Sequence, residues 1–318
     1  MLLGSSTQVI GTSHMSRGQV CQDRAMCWTA ENGNTGTITL CDGAGSSAKS
    51  EFGAENLCDW FPHWANSLPE FWNTGDDELR RMVVAAIQAK LADVANKLGV
   101  EFRELASTFL AAVARISDDE IHYRLIHLGD GVAACVSADG SVTISEPDNG
   151  EFANETVFTT SAAAIEQLRI KTGVAPRGSG FVLMSDGSSA SLFFKPKRAL
   201  APAIAEMLGW LNENDPDVVS DALEANTTNL LRLKTDDDCS IALLLDRFSA
   251  SPFAVDLEHP QNLIESAGFD DQRDQLGDTV PLSDTSSFQI AENPDHVAEL
   301  QEIEPEEILL RESTSAGG

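Results

Sequence analysis

GTITLCDGAGSSAKSEFGAENL, residues 36–57, carries three successive local instructions. GTITLC (36–41) is a short apolar run rich in β-branched residues, the pattern of a strand. Asp42-Gly43 then stops it. Small residues follow, and then a helix over 50–66, where an Asp-Gly hairpin would demand a partner strand. FVLMSDGSSASLFF (181–194) repeats the order, with Asp186-Gly187 ending a strand over 180–184. RLIHLGDG (124–131) ends a strand over 121–128 in Asp130-Gly131. By contrast, Asp139-Gly140 in VSADGSVTI sits between two apolar runs and reads as a plain hairpin.

Working outward, strands are also expected at 132–137 and 239–245, with another short one near Asp23. Helices are expected at 77–98, 198–212 and 216–233. In the 77–98 helix, Met82, Val83, Ala86, Ile87, Leu91 and Val94 form one stripe, with Asp76 or Asp77 as a cap. Two helices fall together early and two late, with strands between them. That grouping favours an α+β fold, with helices outside stacked antiparallel sheets, over a doubly wound βαβ repeat.

The 318 residues include 50 acidic and 21 basic side chains, a formal charge of −29. Such a chain is poorly suited to gripping nucleic-acid phosphates or anionic lipid, so neither nucleic acid nor membrane is expected as a partner. No apolar run reaches the roughly 18 residues of a membrane span. MLLGSSTQVIGTSH lacks the basic region of a signal peptide, and the six cysteines include no Cys-x-x-Cys pair. A cytoplasmic protein with reduced thiols is the expectation.

Residues 251–318 hold 16 acidic side chains and only two basic ones, Arg273 and Arg311. They lack Trp and Tyr. The reading is a domain over 1–250 followed by an acidic, largely disordered tail over 251–318. Within the tail, PEEILLRE (305–312) has the make-up of a short helical docking motif for a partner.

Carboxylates at strand ends, with neither His nor Cys paired to them, suit hard divalent cations such as Mg²⁺ or Mn²⁺. Asp42 and Asp186 lead this set, joined by Asp130, the run Asp236-Asp237-Asp238 and Asp23. Rival chemistries lack their motifs: there is no G-x-S-x-G elbow, no H-E-x-x-H, no Walker loop and no cysteine six places before an arginine.

Six ordered blocks give the pattern a family likeness: GTSHMSRGQVCQD (11–23), DGAGSSAKSEFGA (42–54), ASTFLAAV (106–113), HLGDG (127–131), LMSDG (183–187) and TDDDCSIALL (235–244). Together they resemble the metal-dependent type 2C protein phosphatases, in particular the compact bacterial branch. The resemblance implies a four-layer α-β-β-α sandwich and a phosphoserine/phosphothreonine phosphatase. Its nucleophile would be a water bridging two Mn²⁺ or Mg²⁺ ions. It implies that Asp42 bridges both metals, that the Gly43 carbonyl ligates one, and that Asp186 and Asp237 complete the second. Asp23 would bind metal directly or through water, and Asp130 would help hold a third, looser ion. Catalytic roles accordingly fall to Asp42, Asp186 and Asp237. The implied partners are a phosphoprotein, such as a Ser/Thr kinase or its targets, and a docking partner for the tail. A silent sandwich that only binds phosphopeptide or partner is the alternative.

Three positions depart from the family. Gly18 stands where many members have a phosphate-gripping arginine, leaving Arg17, one residue off, as the candidate. Ala44 stands where many eukaryotic members have a histidine able to act as general acid. Asp238 replaces the usual asparagine.

Overall fold

The computed structural model describes residues 1–147, 156–248 and 253. Strands in chain order are β1 (Leu2–Val9), β2 (Arg24–Thr29), β3 (Thr35–Cys41), β4 (Phe109–Ser117), β5 (Glu120–Leu128) and β6 (Val132–Val136). They continue as β7 (Val142–Ser145), β8 (Arg169–Pro176), β9 (Gly180–Met184), β10 (Phe193–Phe194), β11 (Ala199–Leu200) and β12 (Cys239–Asp246). Helices are α1 (Thr12–Ser16), α2 (Ser50–Ser67), α3 (Glu70–Asn73) and α4 (Asp76–Leu98). After them come α5 (Ala164–Gln167), α6 (Asp186–Leu192), α7 (Ala203–Glu213) and α8 (Pro216–Asn226).

Ten strands form two antiparallel five-stranded sheets, ordered β1-β12-β9-β6-β7 and β2-β3-β4-β5-β8. Strand alternation sorts their side chains into three apolar layers. On β4, Phe109, Ala111 and Val113 face α2 and α4, joining Leu57, Phe61, Ile87 and Leu91. Leu110, Ala112 and Ala114 turn the other way, into the seam between the sheets with Ile38, Phe181, Leu183 and Leu244. From β12, Ile241, Leu243 and Leu245 face α7 and α8, meeting Leu208, Leu211, Val219 and Leu223. Helix pair, sheet, sheet, helix pair is the expected four-layer sandwich. Because both faces of the central strands are covered, all eight residues of β12 are buried. Its sequence therefore reads as a continuous apolar run rather than an alternation.

Several expectations shift. Helix 198–212 starts later, at Ala203, because Lys195–Lys197 form a tight turn between β10 and β11. Helix 216–233 ends at Asn226 and continues as a wide turn, Thr227–Leu231, and a 3-10 turn, Arg232–Lys234. Neither Asp76 nor Asp77 caps α4. Gly75 holds that position, and Asp76, Asp77 and Glu78 lie in the first turn, where their charge still suits the helix N-terminus. On its buried face Leu79, Val84 and Ala95 join the stripe, while Met82 and Ala86 are half-exposed.

β1 was invisible as a strand because of its polar centre. Ser5 Oγ donates to Pro216 O (3.1 Å) and Ser220 Oγ donates to Ser6 O (3.0 Å), so α8 takes up the polarity that pattern reading assigns to loops. The Asp139-Gly140 hairpin forms as expected, joining β6 to β7. All six cysteines are free. No helix among the described residues is long and apolar enough to cross a membrane.

Of the 251–318 segment only Phe253 is described, and it is buried against the layer of α7 and α8. The remainder, including PEEILLRE, lies outside the described residues.

Candidate active site

Three of the strand-end aspartates converge. Carboxylate oxygens of Asp42, Asp130 and Asp186 lie within 4.8 Å of one another. They come from both sheets: Asp42 follows β3, Asp130 follows β5, and Asp186 follows β9 and opens α6. Packing the sheets face to face brings these ends to one edge of the sandwich, so the site exists only once the seam has formed.

The Asp-Gly glycines are required by close approach rather than by turn geometry. A Cβ on Gly43 would lie 2.8 Å from Gln22 O and 2.9 Å from Ser50 Oγ. On Gly187 it would lie 2.2 Å from Asp238 O, where no side chain fits. Backbone bonds fix the first of these loops, with the Asp42 amide donating to Thr108 Oγ1 (2.9 Å) and the Thr108 amide to Asp42 O (2.8 Å).

The three carboxylates face a cavity of about 510 Å³, also lined by Gly43, Asp236, Asp237, His14 and Arg17. Burial, reinforced by the charges of Asp23, Asp186, Asp130 and Asp237, raises the Asp42 carboxyl well above its ordinary value. Burial and the charges of Asp130 and Asp237 raise Asp186 as well. Arg17 is the only Lys or Arg among the lining residues. Its Nε donates to Ser13 O (3.2 Å) and its Nη2 to Ser13 Oγ. The cluster is thus a set of hard oxygen donors whose mutual repulsion the protein's own cations leave largely uncancelled, a donor set that fits Mg²⁺ or Mn²⁺.

Two acids lie beneath the cavity and differ from those in it. Asp23 is 1% exposed, accepts from Ser240 Oγ at 2.6 Å, and is not among the lining residues. Burial, with Asp238 and Asp186 adding to it, pushes its pKa up to about 8, against the Ser240 hydrogen bond. Asp238 is 2% exposed and tied down on both oxygens. Oδ1 accepts from the Gly11 amide (2.7 Å) and lies 2.9 Å from His14 Nδ1, while Oδ2 accepts from the Gln22 amide (2.7 Å). Adjacent in sequence, Asp237 is exposed at the cavity and its Oδ1 takes the Asp238 amide (2.9 Å).

Of the expected site residues, Arg17, Asp42, Gly43, Asp130, Asp186 and Asp237 line one cavity and Asp23 sits under it. His14, outside the expected site, lines the cavity against Asp238. Thr156, whose Oγ1 donates to Asp130 Oδ2 (2.6 Å), and Phe158, also in the lining, carried no sequence signal.

The sequence profile of the family described as Protein phosphatase 2C matches residues 10–226, more than half of the chain. That span contains Asp23, Asp42, Asp130 and Asp186 but stops short of Asp237. Serine/threonine-protein phosphatase 3 of Escherichia coli (strain K12) is 28% identical over 251 residues, 74% of this chain and 95% of its own. Among solved structures, PppA of Pseudomonas aeruginosa superposes with a TM-score of 0.47 at 18% identity, over 76% of this chain and 96% of its own. Serine/threonine phosphatase Stp1 of Staphylococcus aureus gives 0.49 at 13%, over 77% and 95%.

Proposed function

The chain belongs to the protein phosphatase 2C family and is a serine/threonine protein phosphatase; we propose that it removes phosphate from phosphoserine and phosphothreonine at the Asp42–Asp130–Asp186 cluster, using two divalent cations. The observation that carries this reading is the convergence of three carboxylates within 4.8 Å at the floor of an open cavity with a single guanidinium in its lining.

Asp42 and the Gly43 carbonyl would hold one ion, with Asp42 shared by the second, which Asp186 and Asp237 complete. Asp130 would hold a third, looser ion. Mn²⁺ or Mg²⁺ there would supply an activated water and positive charge for the phosphoryl oxygens. This chain's own part is positioning. Thr108 locks the backbone of Asp42, and Thr156 orients Asp130. Asp23, held by Ser240 from below, would reach an ion directly or through water. Asp238 fixes the Gly11 and Gln22 backbones around the site without entering the cavity.

Arg17 would grip the substrate phosphate. Its side chain is exposed and lines the cavity, and its contact with Ser13 keeps it at the mouth. At the position of the histidine acid in many relatives, Ala44 offers no proton donor, so leaving-group protonation would fall to water.

Residues 1–250 would form the catalytic unit in a cytoplasmic setting, with 251–318 serving docking or regulation. Hydrolysis of p-nitrophenyl phosphate and of a phosphothreonine peptide, stimulated by Mn²⁺ and abolished by EDTA, is the test. A folded, Mn²⁺-loaded protein that turns over neither substrate would leave only a binding role.

A further inference from the structure

Acidic residues dominate this chain, yet residues 1–22 and 225–235 contain no Asp or Glu. The fold joins their ends at the cavity mouth. The Ser13 amide donates to Asp236 O (3.0 Å), Thr12 Oγ1 donates to Asp236 Oδ1 (2.9 Å), and Arg232 Nη1 lies 3.6 Å from Met15 Sδ. Ser13, His14 and Arg17 line one side of the cavity, and Thr235, Asp236 and Asp237 another. Met15 and Arg232–Lys234 therefore form a continuous rim beside it.

That rim exposes apolar side chains. Leu233 is 72% exposed, the most exposed large apolar side chain among the described residues, and Met15, which touches Arg232, is 53% exposed. Scattered single apolar residues need no explanation; two together, set among cations at the mouth of a site, mark a contact surface. Lys234 is exposed and Arg232 half-exposed. With the phosphate engaged in the cavity, both cations stay available to other groups.

We propose that Met15, Arg232, Leu233 and Lys234 form a substrate-docking lip. It selects phosphopeptides with an acidic and a large apolar residue beside the phosphorylated one. The proposal rests on the phosphatase reading above, because a peptide presenting its phosphoresidue to the cavity would lie at the mouth that this rim borders. Charge complementarity fixes the rest. The net −29 chain as a whole repels an acidic peptide, and beside the cavity this rim offers it cations and exposed apolar surface.

The experiment uses the full chain with saturating Mn²⁺ and three substrates. These are p-nitrophenyl phosphate, a phosphothreonine peptide flanked by Glu and Leu, and the same peptide flanked by Lys and Ala. Wild type should prefer the Glu/Leu peptide by about tenfold in kcat/KM, the scale of one buried leucine contact plus an exposed charge pair. Lys234→Glu and Leu233→Glu should each cut that preference severalfold and leave p-nitrophenyl phosphate turnover within twofold of wild type. Equal rates on both peptides, or a preference that survives both substitutions, overturns the lip while leaving the phosphatase intact. No turnover of any substrate by wild type sinks the phosphatase reading and the lip with it. Faster p-nitrophenyl phosphate turnover in the variants would mean that the chain's own acidic tail covers the rim, which also overturns a substrate role.

Discussion

β12 has acids at both ends, and the two ends are built on opposite principles. Asp237 and Asp238 precede its first residue, Cys239, beside Asp23, Asp42, Asp130 and Asp186; Asp246 is its last residue. Asp246 is fully buried but accepts from Arg177 Nε (2.6 Å), Arg177 Nη2 (3.1 Å) and the Gly178 amide (2.9 Å), with the Met1 amino nitrogen 3.0 Å away. Burial alone would raise its carboxyl, but those hydrogen bonds and the nearby amine hold it below its ordinary value. At the other end, burial and like charges raise Asp23, Asp42 and Asp186. One end carries its counter-cation in the fold, and the other leaves its acids largely without one. Carboxylates left in mutual repulsion are a cost to folding that a purely structural cluster would not retain.

The largest expected effect tests the open end. Asp42→Asn and Asp186→Asn remove a charge with little change in volume, so each should lower Mn²⁺-dependent kcat/KM by two to three orders of magnitude, the scale of losing a preorganised catalytic charge. Without metal, both variants should melt no lower than wild type, since each relieves repulsion. Retention of most of the activity by either variant would break the comparison at its functional end.

The closed end should respond in stability instead. Arg177→Met leaves Asp246 with the Gly178 amide and the Met1 nitrogen, and also removes the guanidinium stacked 4.8 Å from the Phe248 ring. Breaking such a pair should cost about 2–3 kcal/mol in urea unfolding, with p-nitrophenyl phosphate kinetics unchanged. A loss of activity without a loss of stability would contradict the division.

Protons separate the two ends a third way. A carboxyl raised in the fold contributes stability below its unfolded value, about 3.9, and that contribution is lost as pH rises through the folded value, about 8 for Asp23. Asp246, lowered in the fold, behaves oppositely and loses its contribution only as pH falls through its folded value. Buried His127, held down at about 3 by burial and by Arg169, gains the fold stability only up to its unfolded value near 6.5. In EDTA the melting temperature should therefore fall between pH 6.5 and 8, and saturating Mn²⁺ should remove that slope by replacing protons. A metal-free protein whose melting temperature stays flat across this window would argue against a repelling cluster.

Much of this was legible in the string, because Asp42 and Asp186 each follow an apolar run and precede small residues where a hairpin would need a second strand. The layers were legible too, since strands buried on both faces read as unbroken apolar runs. Less visible was anything set by long-range packing. β1 hides its strand character behind serines that bond to α8, and Asp246 looks like an ordinary strand-end acid until Arg177 arrives from 69 positions away. Nor does the run Asp236-Asp237-Asp238 say which member faces the cavity. Only the backbone of 11–22, folded against it, leaves Asp236 and Asp237 at the cavity and turns Asp238 to the interior.

Asp238 thus belongs to the open end by position and to the closed end by bonding, and it should give the smallest effect. An asparagine there keeps one acceptor but turns an NH₂ toward either the Gly11 or the Gln22 amide, so one of the two hydrogen bonds is lost. It also removes one negative charge from below the cavity. Asp238→Asn should therefore raise the Mn²⁺ concentration needed for half-maximal p-nitrophenyl phosphate hydrolysis by less than about tenfold, the scale of roughly 1.4 kcal/mol. The kcat at saturating Mn²⁺ should stay within about threefold of wild type, and thermal stability should drop slightly through the lost bond. A Mn²⁺ titration of the variant beside Asp42→Asn decides the matter. If Asp238→Asn loses as much kcat as Asp42→Asn and excess Mn²⁺ does not restore it, then Asp238 acts on the ions directly, and the line between metal-facing and protein-satisfied acids must be redrawn below it.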